Sequence, residues 1–234
     1  KYRSRVLVIY RGGCAINCRY CFRRHFPYQE NTLTARDIDG LVAYLKAHPE
    51  VNEVILSGGD PLMADDHALS GWFVRLESVS SIHRLRIHTR LPIVIPERVT
   101  DTLCQIIAAT ALPVVMVLHS NHANEIDQSV MDAVSQLRAV CRSVLNQSVI
   151  LKGINDSADV LVALSERLFE AGIDPYYLNV LDRVSGAHHF DVSDLEVAAL
   201  HQALLNALPG YLVPKLVREV PGIGHKVQWK GTTH

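Results

Sequence analysis

Cysteine is scarce in this chain of 234 residues, five in all, and aromatic residues make up only 6% of it. Five cysteines without an evident pairing scheme do not build a small secreted disulfide scaffold, and they suit a reducing cytoplasm. An excess of charge of one sign is lacking too: the formal net charge is −1. Nothing therefore points to a nucleic acid or another polyanion as partner. No apolar run reaches the roughly 18 residues of a membrane span, so no transmembrane helix is expected. Low-complexity tracts, charge blocks and Gly/Ser linkers are also missing, and a composition 48% hydrophobic and 20% charged suits one substantial domain. The opening K-Y-R-S-R-V-L-V-I-Y has neither an initiator Met nor a signal-peptide layout. It reads as a strand entered almost at once from Lys1, as in a chain shortened upstream.

What is present is an alternation of short β-branched runs with amphipathic segments. The runs at 5–10, 51–56, 85–88, 114–118, 148–151 and 176–180 are apolar almost throughout, as parallel strands covered on both faces are. Thr34 and Asp37 offer a capping-box-like start ahead of Ile38, Leu41, Val42 and Leu45 at i, i+3, i+4, i+7. A second helix is predicted from about 157 to 171, with Val160, Leu161, Leu164 and Leu168 on one stripe and Gly172 as its stop. Six strands joined by right-handed crossovers predict an α/β fold, a partial (β/α)6 TIM-like barrel in a single domain over 1–234. Chemistry in such folds sits just after the strand C-termini. Polar groups fall there each time: the cysteines of 14–21, Ser57-Gly58-Gly59-Asp60, His88-Thr89-Arg90, His119-Ser120-Asn121, Lys152-Gly153-Ile154-Asn155-Asp156 and Asp182.

The most informative group is C-A-I-N-C-R-Y-C. Cys14, Cys18 and Cys21 set three soft thiolate ligands on one loop, one fewer than fill a closed tetrahedral site. The missing ligand leaves a metal position for a substrate or cofactor. Half a zinc site and a disulfide pair are the competing readings. Cys104 and Cys141 are remote and carry no CxxC or HxxxC pattern, and Cys104 in D-T-L-C-Q-I-I-A-A reads as packed within a helix. Gly58-Gly59 by itself is a turn that permits positive φ. The run from Asn146 to Asp156 reads locally as a strand entering a helix capped by Asp156. Glu219-Val220-Pro221-Gly222-Ile223-Gly224-His225-Lys226 is either a turn before a surface lysine or a nest of backbone N–H groups for an anion. It is not a P-loop, whose spacing and Ser/Thr it lacks.

The cysteine spacing resembles the Cx3Cx2C loop of the radical S-adenosylmethionine (SAM) superfamily. Taken with the glycine and lysine segments in order along the chain, it is similar to the lysine 2,3-aminomutase family. The likeness is closest to the bacterial branch that β-lysylates elongation factor P, on K-Y-R-S-R-V-L-V-I-Y-R-G-G-C and C-F-R-R-H-F-P-Y. The resemblance implies that Cys14, Cys18 and Cys21 hold a [4Fe–4S] cluster, with the amino and carboxylate groups of SAM on the remaining iron. Gly58, Gly59 and Asp60 correspond to the superfamily's GGE motif, with Asp for Glu, beside the methionyl amine of SAM. Gln147 and Asn155 would flank SAM. Lys226 corresponds to the lysine of the family's PGGGGK segment, which joins pyridoxal 5′-phosphate (PLP) covalently; Ile223 and His225 here replace two of the glycines. Arg5 and His119 match positions near PLP, although each also reads as a rim or strand-end residue.

For the substrate, the resemblance implies Arg23 as partner of the carboxylate, a task suited to a planar guanidinium fork. Beside Arg24 it also reads as one of a solvated basic pair. Asp182 would hold the distal amine, or merely cap a loop next to Arg183. Glu219 stands where stand-alone lysine enzymes have a second aspartate; it keeps the charge and shifts the carboxylate. Two acids opposite an ammonium favour a basic substrate. Ser157 replaces a cysteine that helps bind a structural zinc in those enzymes, so no zinc is expected, and the family's N-terminal helical region is not in the sequence. The implied activity is isomerisation of L-lysine to β-lysine. An external reductant such as a flavodoxin would supply the electron, and the product would serve elongation factor P through its lysyl-transferring enzyme. A radical SAM enzyme without PLP, an arginine-using aminomutase and a non-catalytic iron–sulfur or zinc module stay open as alternatives.

Overall fold

The computed structural model describes residues 3–27, 35–220 and 222–229. Strand β1 (Arg5–Arg11) leads through α1 (Ala35–Ala47) to β2 (Glu53–Gly58) and α2 (Asp66–Glu77). Next come β3 (Arg84–Thr89), the single-turn α3 (Leu91–Val94), α4 (Asp101–Ala109), β4 (Val114–Leu118) and α5 (Gln128–Val140). The chain continues through β5 (Ser143–Val149), α6 (Ala158–Glu170), β6 (Asp174–Asn179), α7 (Asp194–Ala207), β7 (Lys215–Arg218) and β8 (Val227–Gln228).

Spatial order in the sheet is chain order, β1 to β8. The pairs from β1–β2 to β6–β7 are parallel, and β8 returns antiparallel to β7. Among the described residues no pairing joins β1 to β8, so the β/α barrel is partial and open. The alternating pattern expected from the sequence is present, with corrections in detail. Two strands extend the sheet beyond six: β7 buries only Leu216 and Val217, and β8 has two residues, too little apolar sequence to announce either. Strand β5 covers Ser143–Val149 rather than 148–151. Its polar Asn146 is tolerated inside the sheet because its amide accepts from Ser120 N at 2.8 Å and donates to Ser120 O at 3.0 Å.

Helix α6 starts as expected, but Ser157 caps it, its hydroxyl accepting from Val160 N, and not Asp156. Gly172 ends it at φ 77°. Asp37 lies in the first turn of α1; Thr34, the other half of the expected cap, is outside the described residues, as are Lys1 and Pro221.

The period-2 alternation of the strands sorts two environments. Val54, Leu56, Leu85, Ile87, Met116 and Leu118 pack outward against Leu45, Phe73, Leu76, Leu103 and Leu137 of the helices. Full burial of each such side chain contributes about 1.5–3 kcal/mol. A second cluster, including Ile150, Leu178, Val197, Leu204 and Leu216, holds the C-terminal third. Cys104 and Cys141 pack at the edge of the first cluster. The residues between these, Ile55, Ser57, Arg86, His88, Gln147 and Asn179, face inward and border a cavity.

Candidate active site

That cavity has a volume of about 1870 Å³. Single small-molecule pockets commonly span roughly 300–1,000 Å³, so there is room for more than one ligand. At one end lie Cys14, Cys18 and Cys21, together with Arg23, Gly58, Gly59 and Asp60. Arg5, His119 and Gln147 border it from the strands, and Asp182, Glu219 and Lys226 from the C-terminal side. Asn155 does not border it. That side chain is fully buried, accepts from Leu151 N at 2.7 Å and donates to the carbonyls of Asn121 and Val149 at 2.9 Å, stapling the turn after β5.

The cysteine loop is seated on the end of β2. Gly59 N–H donates to Arg11 O at 2.6 Å and Asp60 N–H to Gly13 O at 2.8 Å. A Cβ on Gly58, whose φ is 118°, would lie 2.5 Å from Arg11 O, and one on Gly59 would collide with Gly13 O. Glycine is required here for backbone-on-backbone contact. The Asp60 carboxylate accepts from Thr89 Oγ1 at 2.6 Å and from the backbone N–H of Arg90, Leu62 and Leu91 at 2.7, 3.0 and 3.2 Å. Burial nevertheless pushes its pKa up against those bonds. Its side chain thus ties the β2 loop to the end of β3.

Arg23 Nη1 donates to Ser57 Oγ at 2.9 Å and to Gly58 O at 3.2 Å. Partial desolvation, with Asp60, Cys21 and Cys18 nearby, pushes the Cys14 thiol up to about 11. A thiol so placed stays protonated in neutral water and gives up its proton to solvent when a metal coordinates the sulfur.

The other end is built by a bulge. The β5–β6 register shifts between Asn146 and Gln147, leaving Tyr176 without a pairing partner in β5, and Tyr176 and Tyr177 both border the cavity. Their hydroxyls are 3.0 Å apart. A bulge re-aims side chains in this way. Lys226 Nζ donates to Asn179 Oδ1 at 2.5 Å, lies 4.0 Å from Glu219 Oε1, and stands 5.1 Å from the centre of the Tyr177 ring. The rings of His88 and His119 are 6.0 Å apart. Desolvation, then the charges of Arg90, Lys226 and Arg23, take His119 down to about 4; His88 is lowered likewise, by desolvation first. Both imidazoles are therefore neutral beside cationic neighbours. Below them Glu53 accepts from Arg86 Nη2 at 2.6 and 2.7 Å, with Arg5 Nη1 at 3.9 Å.

Several residues of this wall had no individual signal in the sequence: Arg90, Tyr20, Tyr177, Asn179 and the Glu53–Arg86 pair. Arg90 is visible only as the end of His88-Thr89-Arg90, and its side-chain partners Tyr20, Cys18 and Glu125 are all 35 or more residues away.

Three thiols on one loop suit iron–sulfur ligation. Among the described residues no three His, Cys, Asp or Glu side chains converge as a single metal ion would require. A cluster asks for something different, one thiolate at each of several separated irons. Two buried polar atoms of cavity-lining residues, Arg90 Nε and His88 Nε2, have no hydrogen-bond partner among the described residues. Both fit a cavity furnished to receive polar ligands.

Residues 8–165 match the Radical SAM superfamily, and the chain belongs to it. Within that class it is 54% identical over 226 residues to L-lysine 2,3-aminomutase of Haemophilus influenzae, covering 97% of this chain and 67% of that protein. It is 53% identical over 222 residues to L-lysine 2,3-aminomutase of Escherichia coli, covering 95% and 65%. The chain therefore belongs to the L-lysine 2,3-aminomutase family of isomerases, and spans about two thirds of the length of these relatives. Among solved structures, Streptococcus suis SuiB bound to S-adenosylmethionine superposes with a TM-score of 0.67 at 18% identity, over 94% of this chain and 51% of that one; this likeness is one of fold.

Proposed function

We propose that this protein converts L-lysine to β-lysine by PLP-dependent radical SAM chemistry, and that the β-lysine serves modification of elongation factor P. What chiefly supports the reading is that the cysteine loop and Lys226 border one cavity in a chain of this family. The kinship to the elongation factor P branch rests on the two sequence stretches around Cys14 and Cys21.

When bound, the iron–sulfur cluster and SAM supply hydrogen-atom abstraction, and PLP supplies the electron delocalisation that lets nitrogen pass between neighbouring carbons. The chain's own residues hold and orient. Cys14, Cys18 and Cys21 would ligate the cluster, while Gly58 and Gly59 would let backbone approach the methionyl amine, with Asp60 fixing that loop. Gln147, which lines the cavity, would border SAM, whereas Asn155 would act through the turn it staples. Lys226 anchors PLP with Arg5 and His119 nearby. Arg23 takes the substrate carboxylate; both its hydrogen bonds to Ser57 and Gly58 use Nη1, which leaves the other edge of the fork for that purpose. Asp182 and Glu219 face the distal ammonium. The neutral His88 and His119 keep further positive charge away from a cationic substrate. The amino group moves from the α- to the β-carbon while one hydrogen moves the opposite way, so the product is an isomer.

The reductant is a flavodoxin-like protein, and the cytoplasm is the compartment that suits the cluster; no helix among the described residues is long and apolar enough to cross a membrane. The test is an anaerobic assay with SAM, PLP, dithionite and either L-lysine or L-arginine. β-Lysine is the expected product. Formation of 5′-deoxyadenosine without any aminomutation would favour a radical SAM enzyme of another type, and β-arginine alone would move the substrate assignment.

A further inference from the structure

Arg90 emerges one residue beyond β3 with its backbone N–H held by Asp60 Oδ2 at 2.7 Å. Its Nη1 donates to Tyr20 OH at 2.6 Å and lies 3.3 Å from Cys18 Sγ. Its Nη2 pairs with Glu125 Oε2. The other Glu125 oxygen accepts from the backbone N–H of Asn121 at 2.7 Å and of His122 at 3.0 Å. Tyr20 OH accepts a second bond, from Asn121 Nδ2 at 2.7 Å. The cysteine loop, through Tyr20 and Cys18, and the segment after β4, through Glu125, thus converge on the Arg90 guanidinium, while Asp60 holds its backbone. The Arg90 and Glu125 side chains are only 21% and 23% exposed, so solvent screens the charge weakly.

We propose that Arg90 is a positioning residue for the cluster: it holds the cysteine loop through Tyr20 and raises the reduction potential of the iron–sulfur centre by donating N–H to the Cys18 sulfur. The inference rests on the reading that Cys14, Cys18 and Cys21 ligate such a centre. A cluster gains negative charge when it takes up an electron. A fixed cation with an N–H directed at one ligating sulfur stabilises the reduced state more than the oxidised one. The hydrogen bonds around Tyr20, Asn121 and Glu125 keep the guanidinium from turning away, so the effect is built into the fold.

The experiment uses the whole chain, reconstituted anaerobically with iron and sulfide, in wild-type, Arg90→Gln, Arg90→Lys and Tyr20→Phe forms. Bound iron is counted, and the midpoint potential is read by titration followed by electron paramagnetic resonance. The expected result is full iron in Tyr20→Phe and Arg90→Lys, with midpoints moved to more negative values. The shift is largest in Arg90→Gln, and Arg90→Lys restores part of it through its retained charge. Should Arg90→Gln fail to hold iron, Tyr20→Phe decides. Wild-type potentials in iron-replete Tyr20→Phe and Arg90→Lys would overturn the inference. A wild-type protein that takes up no cluster would instead overturn the reading of the cysteine loop.

Discussion

Lys226 Nζ and Asn179 Oδ1 meet at 2.5 Å, joining the glycine-bearing C-terminal segment to the end of β6. The contact fixes where the amine sits in the cavity, and hydrogen bonds to charged groups contribute about 1.5–3 kcal/mol. Asn179→Ala should weaken PLP retention by roughly tenfold or more, and Lys226→Ala should remove the borohydride-trapped PLP altogether. Iron content should be unchanged in both. Equal PLP absorbance in Asn179→Ala and wild type would separate this contact from cofactor anchoring.

Gly59 has no room for a methyl group, because its Cβ would run into Gly13 at the base of the cysteine loop. Gly59→Ala should lose about 1–3 kcal/mol of stability through overpacking and bind less iron. Gly71, inside α2, has nothing within 4 Å of its would-be Cβ. Gly71→Ala should therefore be neutral or slightly stabilising. Thermal denaturation and iron analysis on the pair decide whether close approach, rather than glycine content as such, shapes the loop.

Glu53 is 5% exposed and answers Arg86, itself 14% exposed, with Arg5 and Arg84 behind it. Removing the acid leaves a desolvated guanidinium without its counter-charge. Glu53→Gln should therefore cost about 3–5 kcal/mol, measured by urea denaturation. A variant as stable as wild type would show that Arg86 finds water or another acceptor.

The lowered pKa of His119 sets a direction for acid sensitivity. Above the ordinary value of 6.5 the imidazole is neutral both folded and unfolded, and contributes no pH dependence. Between 6.5 and about 4 the unfolded chain binds a proton that the folded one does not, so stability falls on acidification through that window and levels off below it. His88 acts in the same sense. His119→Asn and His88→Asn should each flatten the decline in melting temperature between about pH 7 and about pH 5. An unaltered slope in both would place the acid sensitivity elsewhere.

How much of this was legible depended on how local each signal is. The first four strands and β6 announced themselves through apolar runs that sit between helices, and the Cx3Cx2C loop through spacing alone. Strand β5 was misplaced because Asn146 and Gln147 look wrong for a strand until Ser120, across the sheet, is seen to satisfy Asn146. Asp60 was recognised as the end of a motif. That its carboxylate grips Thr89 and the backbone of Arg90 and Leu91 depends on residues some thirty positions away. Asn155 carried a polar signal of equal strength and turned out to staple a turn. Arg90 shows only as the end of a polar rim group and Asn179 as the end of an apolar run; the partners of both are reached only when distant segments meet.

The most direct measurement follows a label through a single anaerobic turnover with L-lysine deuterated at the β-carbon. The account predicts deuterium in 5′-deoxyadenosine together with β-lysine, and loss of β-lysine in Lys226→Ala at undiminished iron content. Cleavage of SAM with no deuterium transfer, or β-lysine formation that persists in Lys226→Ala, would contradict the claim that the cysteine loop and Lys226 serve one reaction in one cavity.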